Sequence, residues 1–128
     1  MQKGGASQGA RQIKGVQMKM ISYWRSATGE DVCPFFVNGD LSFIYGFYDH
    51  KNAGNAERCL GMYWNGRFPF VKNEEGMCVL APFTVQTKEA ISIVRGLRND
   101  VECGIYGESD KQEMLSRINA ALDFFLEA

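Results

Sequence analysis

The segment CPFFVNGDLSFIYGFYD, residues 33–49, decides the fold class. It holds two β-prone runs around Asn38-Gly39, a dipeptide that accepts the positive φ values of a type I′ hairpin turn without steric cost. Pro34 stands at the start of the first run, where a missing N–H does least harm. Gly46 in the second run marks a bulge or a close approach of backbone. Side chains alternate between the faces of a strand, so Phe43, Tyr45 and Phe47 share one face while Ile44 and Tyr48 lie on the other. Both faces are apolar, which fits helices on one side and a pocket or dimer contact on the other.

Working outward toward the N-terminus, VQMKMISYW (residues 16–24) alternates as a half-buried strand and closes at the turn SATGED (26–31). Toward the C-terminus, DHKNAGNAE (49–57) reads as a surface loop. RCLGMYWN (58–65) and FPFVK (68–72) read as two strands joined by Asn65-Gly66, with Met62 and Trp64 on one face and Tyr63 pointing away. Residues 73–76 then turn into MCVLAPF (77–83), and Pro82 ends the meander.

Beyond it, Thr84 or Thr87 can cap KEAISIVRGLRN (88–99), where Ala90, Ile91, Val94 and Leu97 fall on one helical face and Gly96 and Asn99 sit near the end. VECGIY (101–106) alternates as a short edge strand or a packed connection. Ser109 and Gln112 have capping-box spacing, and Met114, Leu115, Ile118, Ala121, Leu122 and Phe125 keep helical spacing after them. Strands precede helices, so the expected fold is α+β: a twisted antiparallel sheet of about five or six strands with two C-terminal helices on one face.

At 128 residues the chain suits one domain with one core. Residues 1–14, rich in Gly, Gln, Ser and Ala, read as a flexible arm, and residues 15–128 as the α+β domain. No apolar run approaches the roughly 20 residues of a membrane span, and the N-terminus has no apolar signal region, so a cytoplasmic protein is expected. Four cysteines, Cys33, Cys59, Cys78 and Cys103, lack Cys-x-x-Cys spacing and have a single histidine beside them, which favours free thiols over zinc.

Net charge is −1, with no overall pull toward nucleic acid. Its distribution is uneven. Lys3, Arg11, Lys14, Lys19 and Arg25 occupy residues 1–25 with no acid, which leaves nine basic against fifteen acidic residues, a net −6, for the rest. A solvated basic tail accounts for this better than phosphate binding.

Chemistry-bearing patterns are sparse. His50 must serve any histidine-based acid, base or metal site, with Ser42 or a cysteine as its nucleophile, yet no Gly-x-Ser-x-Gly elbow is present. Asp40, Asp49, Glu57, Glu74 and Glu75 are the carboxylates available for paired acid and base work, and Glu74-Glu75 read as a hairpin tip. No HExxH, EF-hand or Asp-x-Asp pattern points to a metal, and no phosphate-binding glycine loop points to a nucleotide cofactor. FIYGFY departs from the RNA-stacking strand pattern and lacks its basic residues, so nucleic acid is not an expected partner.

Aromatic density is the remaining signal. Tyr45, Tyr48, Tyr63, Trp64 and Phe68, with Arg58, Asn65 and Arg67 at their rim, form either an ordinary aromatic core or a concave site for an anionic, planar or protein ligand. The run GMYWNGRFPF...GMCVLAPF (61–83) resembles small uncharacterised bacterial proteins, some of the mobile gene cassette type, in which a strand ends in Trp-Asn-Gly near an aromatic-Pro pair and an apolar strand ends at Pro before a helix. That resemblance implies an origin and no activity, cofactor or catalytic residue. The expectation is a small non-enzymatic binding protein that takes a partner protein, a second copy of itself, or a small ligand on an aromatic sheet face. The alternative is a small hydrolase or transferase using His50 with a carboxylate or a cysteine.

Overall fold

The computed structural model describes residues 10–13, 16–27, 32–65, 70–72 and 74–127. Its elements in chain order are β1 (Ala10–Ile13), β2 (Val16–Ile21), β3 (Trp24–Arg25), β4 (Phe36–Val37), β5 (Leu41–Tyr48), β6 (Glu57–Trp64), β7 (Phe70–Lys72), β8 (Cys78–Leu80), β9 (Phe83–Gln86), α1 (Thr87–Glu102) and α2 (Lys111–Leu126). The expected α+β architecture is present. Five strands form an open antiparallel sheet in the order β3-β5-β6-β9, with β4 beside β3 on the same edge of β5, and both helices pack on one face.

The sheet is organised by the β5–β6 ladder, in which Leu41 to Tyr48 pair with Trp64 to Glu57 without interruption. No bulge interrupts it at Gly46. A Cβ on Gly46 would lie 2.4 Å from the Arg25 carbonyl oxygen, so this glycine admits the close approach of β3. The alternation read from the sequence fixes the two faces. Phe43, Tyr45 and Phe47 point at the helices with Leu60 and Met62, whereas Ile44 and Tyr48 join Trp24, Cys59 and Tyr63 on the opposite side.

Helix α1 contributes Ala90, Val94, Leu97 and Val101, and α2 contributes Ile118, Ala121, Leu122 and Phe125; both sets keep i, i+3, i+4 spacing, which makes one apolar stripe per helix. Phe125 is fully buried, a burial that stabilises by about 1.5–3 kcal/mol. On the far face Pro82 and Leu80 approach the Trp24–Ile44 cluster, so the stretch joining β8 to β9 covers part of it.

Several local expectations are corrected. Phe36 pairs with Phe43 and Val37 with Ser42, so the hairpin turns at Gly39-Asp40, one residue later than expected. Neither residue has the positive φ of a type I′ turn. Asn38 replaces that geometry with its own side chain, whose Oδ1 accepts from the N–H of Asp40 (2.8 Å) and of Leu41 (2.7 Å).

The expected strand over residues 16–24 divides at Ser22, whose Oγ accepts the Trp24 N–H at 3.0 Å and turns the chain from one sheet to another. That second sheet, ordered β1-β2-β8-β7, was not expected, and its β2–β8 pair is parallel. Consequently β7 pairs with β8 instead of continuing a hairpin with β6. The arm expected over residues 1–14 enters the second sheet at Ala10, since residues 10–13 pair with β2. Residues 1–9 and 14, together with the Gly66 side of the Asn65-Gly66 turn, lie outside the described residues.

Helix α1 runs through Gly96 and Asn99 and ends at Gly104, which takes a φ of +84°. Gly104 N–H bonds the Val101 carbonyl at 3.0 Å and Ile105 N–H bonds that of Asp100 at 3.1 Å, the paired closure of a Schellman end. VECGIY is therefore a helix end and a turn, not a strand. The alternation there is incidental, because Val101 is buried on the helical stripe while Cys103 and Ile105 are exposed. Neither helix uses the expected cap: Gln86 and Asp110 occupy the N-cap positions, and neither makes a side-chain capping bond.

Candidate functional site

The sequence-expected site residues are divided between the two faces and two ends of the sheet. Tyr45, Arg58 and Trp64 lie on the helix side, Tyr48 and Tyr63 on the other. Arg67 and Phe68 lie outside the described residues. Tyr63 is opposite Ser42 and Tyr48 opposite Glu57, at the two ends of the ladder and roughly 20 Å apart at the strand rise. A single concave site built from this set does not form among the described residues.

Two of the set serve the scaffold. Asn65 Nδ2 donates to the Asn38 carbonyl (2.6 Å), its backbone N–H donates to that of Asp40 (2.9 Å), and its Oδ1 accepts from the buried Ser42 hydroxyl. It thus clips the end of β6 to the β4–β5 turn. Arg58 Nη1 donates to the Phe124 carbonyl at 2.7 Å, its guanidinium lies 4.5 Å from the Phe124 ring centre and 5.1 Å from that of Phe47, and Glu127 stands 3.9 Å away. The cation is held against aromatic faces and ties β6 to the end of α2.

Around His50 the geometry is aromatic. Its Nδ1 meets the Tyr48 hydroxyl at 2.6 Å, and the Tyr23 ring stands edge-on at 5.9 Å. Asp49 beside it is buried and turned inward, its carboxylate accepting from the N–H groups of Gly54 and Asn55 at 3.1 Å, which fastens the 50–55 loop. Cys59 is buried, and burial with Glu57 nearby pushes its thiol up, away from the reactive thiolate. Ser42 is committed to Asn65 at the far end of β5. His50 therefore has neither a carboxylate nor a serine or cysteine bonded to it among the described residues; its one hydrogen-bond partner there is the Tyr48 phenol. These residues also contain no group of three or more His, Cys, Asp or Glu side chains able to hold a metal.

What stands open is an aromatic patch at the other end of the helix-facing side. Met62 pairs with Phe83 across β6–β9, and Trp64 follows Met62 by two residues, so Trp64 and Phe83 are diagonal neighbours on one face, within reach of each other's rings. Trp64 is 58% exposed and Phe83 71%. Sequence reading found Trp64 by its crowded neighbourhood but not Phe83, whose exposure depends on how far α1 covers β9. Strand β9 is an edge of the sheet, and its sequence FTVQ carries no charge.

Comparison with models of protein families, with curated proteins and with solved structures found no match for the chain. Among the described residues no helix is long and apolar enough to cross a membrane.

Proposed function

We propose that this is a small cytoplasmic, non-enzymatic binding protein that seats a partner protein, a second copy of this chain included, on the Trp64–Phe83 patch. The observation that carries the reading is the pair of large aromatic side chains left mostly in water at diagonal positions on one face, beside the β9 edge. Burying either ring against a partner removes apolar surface from water at about 25 cal/mol per Å², and aromatic anchors of this kind dominate interface energetics. The uncharged edge of β9 adds a row of backbone groups that an extended segment can pair with. A hydrolase or transferase centred on His50 has less support, because its imidazole faces phenol groups and its neighbouring carboxylate is spent on a loop.

Sedimentation velocity from dilute to concentrated protein tests the self-association form. The expected result is a concentration-dependent dimer that the double variant Trp64→Ser, Phe83→Ser abolishes without lowering the thermal midpoint. A wild type that stays monomeric throughout sinks self-association. A dimer unaffected by the double variant removes the patch from the interface.

A further inference from the structure

Helix α2, strand β5, the residues after β3 and the segment leading into β4 border an open cavity of about 250 Å³, lined by Ser26, Ala27, Val32, Cys33, Pro34, Phe35, Tyr45, Arg117 and Ala120. Its volume equals roughly eight waters of liquid, enough for a molecule of about ten non-hydrogen atoms. Two small side chains, Ala27 and Ala120, leave the space, and Val32, Pro34 and Phe35 make its wall apolar. Ser26, Tyr45 and Arg117 bring polar groups to it, the last two carrying the phenol and guanidinium donors.

The Tyr45 ring packs between Phe35 at 5.3 Å and Phe124 at 5.1 Å, and Tyr45 lines the cavity. Its hydroxyl has no hydrogen-bond partner among the described residues and, like any phenol, keeps its donor proton at neutral pH; burial raises its pKa further. Arg117 is oriented from two sides: Nε donates to the Phe35 carbonyl at 3.2 Å, and Nη1 pairs with Glu113 at 2.8 Å. Of its five N–H donors those of Nη2 have no partner among the described residues. An oriented guanidinium and an unpartnered phenol at one apolar cavity match a compact apolar body carrying one carboxylate.

We propose that the Tyr45–Arg117 cavity is a binding site for a small apolar monocarboxylate of the aryl or branched-chain class, its carboxylate taken by Arg117 Nη2 and the Tyr45 hydroxyl. This site is separate from the Trp64–Phe83 patch and stands or falls independently of it.

Titration of 15N-labelled protein with benzoate, followed by amide chemical shifts, tests it. Benzoate shifts the amides of residues 26–27, 32–35, 45 and 117–120 in a saturable manner, and benzyl alcohol, which has the same ring and no charge, does not. Tyr45→Phe, which keeps the ring and its packing, weakens benzoate by about tenfold, the loss of one charge-assisted hydrogen bond. Ala120→Leu, a helix-compatible replacement that fills the space, abolishes the shifts while the rest of the spectrum stays folded. The proposal is overturned if benzoate and isovalerate both leave these amides unmoved, if benzyl alcohol binds as well as benzoate, or if Ala120→Leu binds undiminished.

Discussion

Asn65 shows how much a single side chain decides in this fold. Its amide donates to the Asn38 carbonyl and accepts from Ser42, so replacement by Ala leaves a buried hydroxyl and a turn carbonyl without partners. Asn65→Ala should lower stability by about 1–3 kcal/mol, read as a drop in the urea midpoint at unchanged slope. The residue was legible in the sequence as a turn former after Trp64. Its role as a clip was not, because the partners lie 23 and 27 positions away. Cys59 and Tyr48 carry a second residue-scale consequence. Burial, then Glu57, pushes the Cys59 thiol up, and burial, then Cys59 and Tyr23, pushes the Tyr48 hydroxyl up. The folded protein thus holds these protons more tightly than the unfolded chain. The stability they contribute is complete below the unfolded values and is lost as pH rises through the raised folded ones. Urea midpoints should therefore fall above about pH 9, and fall less steeply in Cys59→Ala.

Among the elements, α1 departs furthest from its reading. Gly96 suggested an approaching end, yet the helix passes through it with open space where a Cβ would stand, and φ there is not positive. Gly96→Ala should raise stability by about 0.5–1 kcal/mol, seen as a higher thermal midpoint with unchanged far-UV dichroism. The true stop, Gly104, is marked by a glycine followed by two more in-turn residues, a signal that the Val101-Cys103-Ile105 alternation obscured. Strand β5 is the opposite case. Its period of two placed Phe43, Tyr45 and Phe47 opposite Ile44 and Tyr48 without tertiary information, because alternation is a property of the strand itself. The division at Ser22 between β2 and β3 had no comparable signal, since one serine side chain turns a continuous apolar alternation into two strands of different sheets.

For the whole molecule, the two sheets differ in how they are held. The five-stranded sheet has an eight-pair ladder between β5 and β6 under two helices, whereas β2 meets β8 through two pairs and β7 meets β8 through three. Amide hydrogen exchange should accordingly be slowest in β5, β6 and the buried stripes of α1 and α2, with β2, β7 and β8 exchanging through local opening at lower free energy. Comparable protection in both sheets would show that they open as one unit. Composition and element order carried the α+β class, but the second sheet needed a parallel pairing between segments nearly sixty residues apart, and no local pattern encodes such a pairing. The two tryptophans sit in opposite surroundings: Trp24 is 5% exposed with its indole N–H unbonded among the described residues, and Trp64 is mostly in water. Water relaxes the excited indole dipole and an apolar cage does not, so the chain carries its own two-colour optical label. Trp64→Phe should leave the short-wavelength emission of Trp24, which reports on the pairing of β3 with β5, and Trp24→Phe the longer-wavelength emission of Trp64, which shifts toward the blue when something covers it.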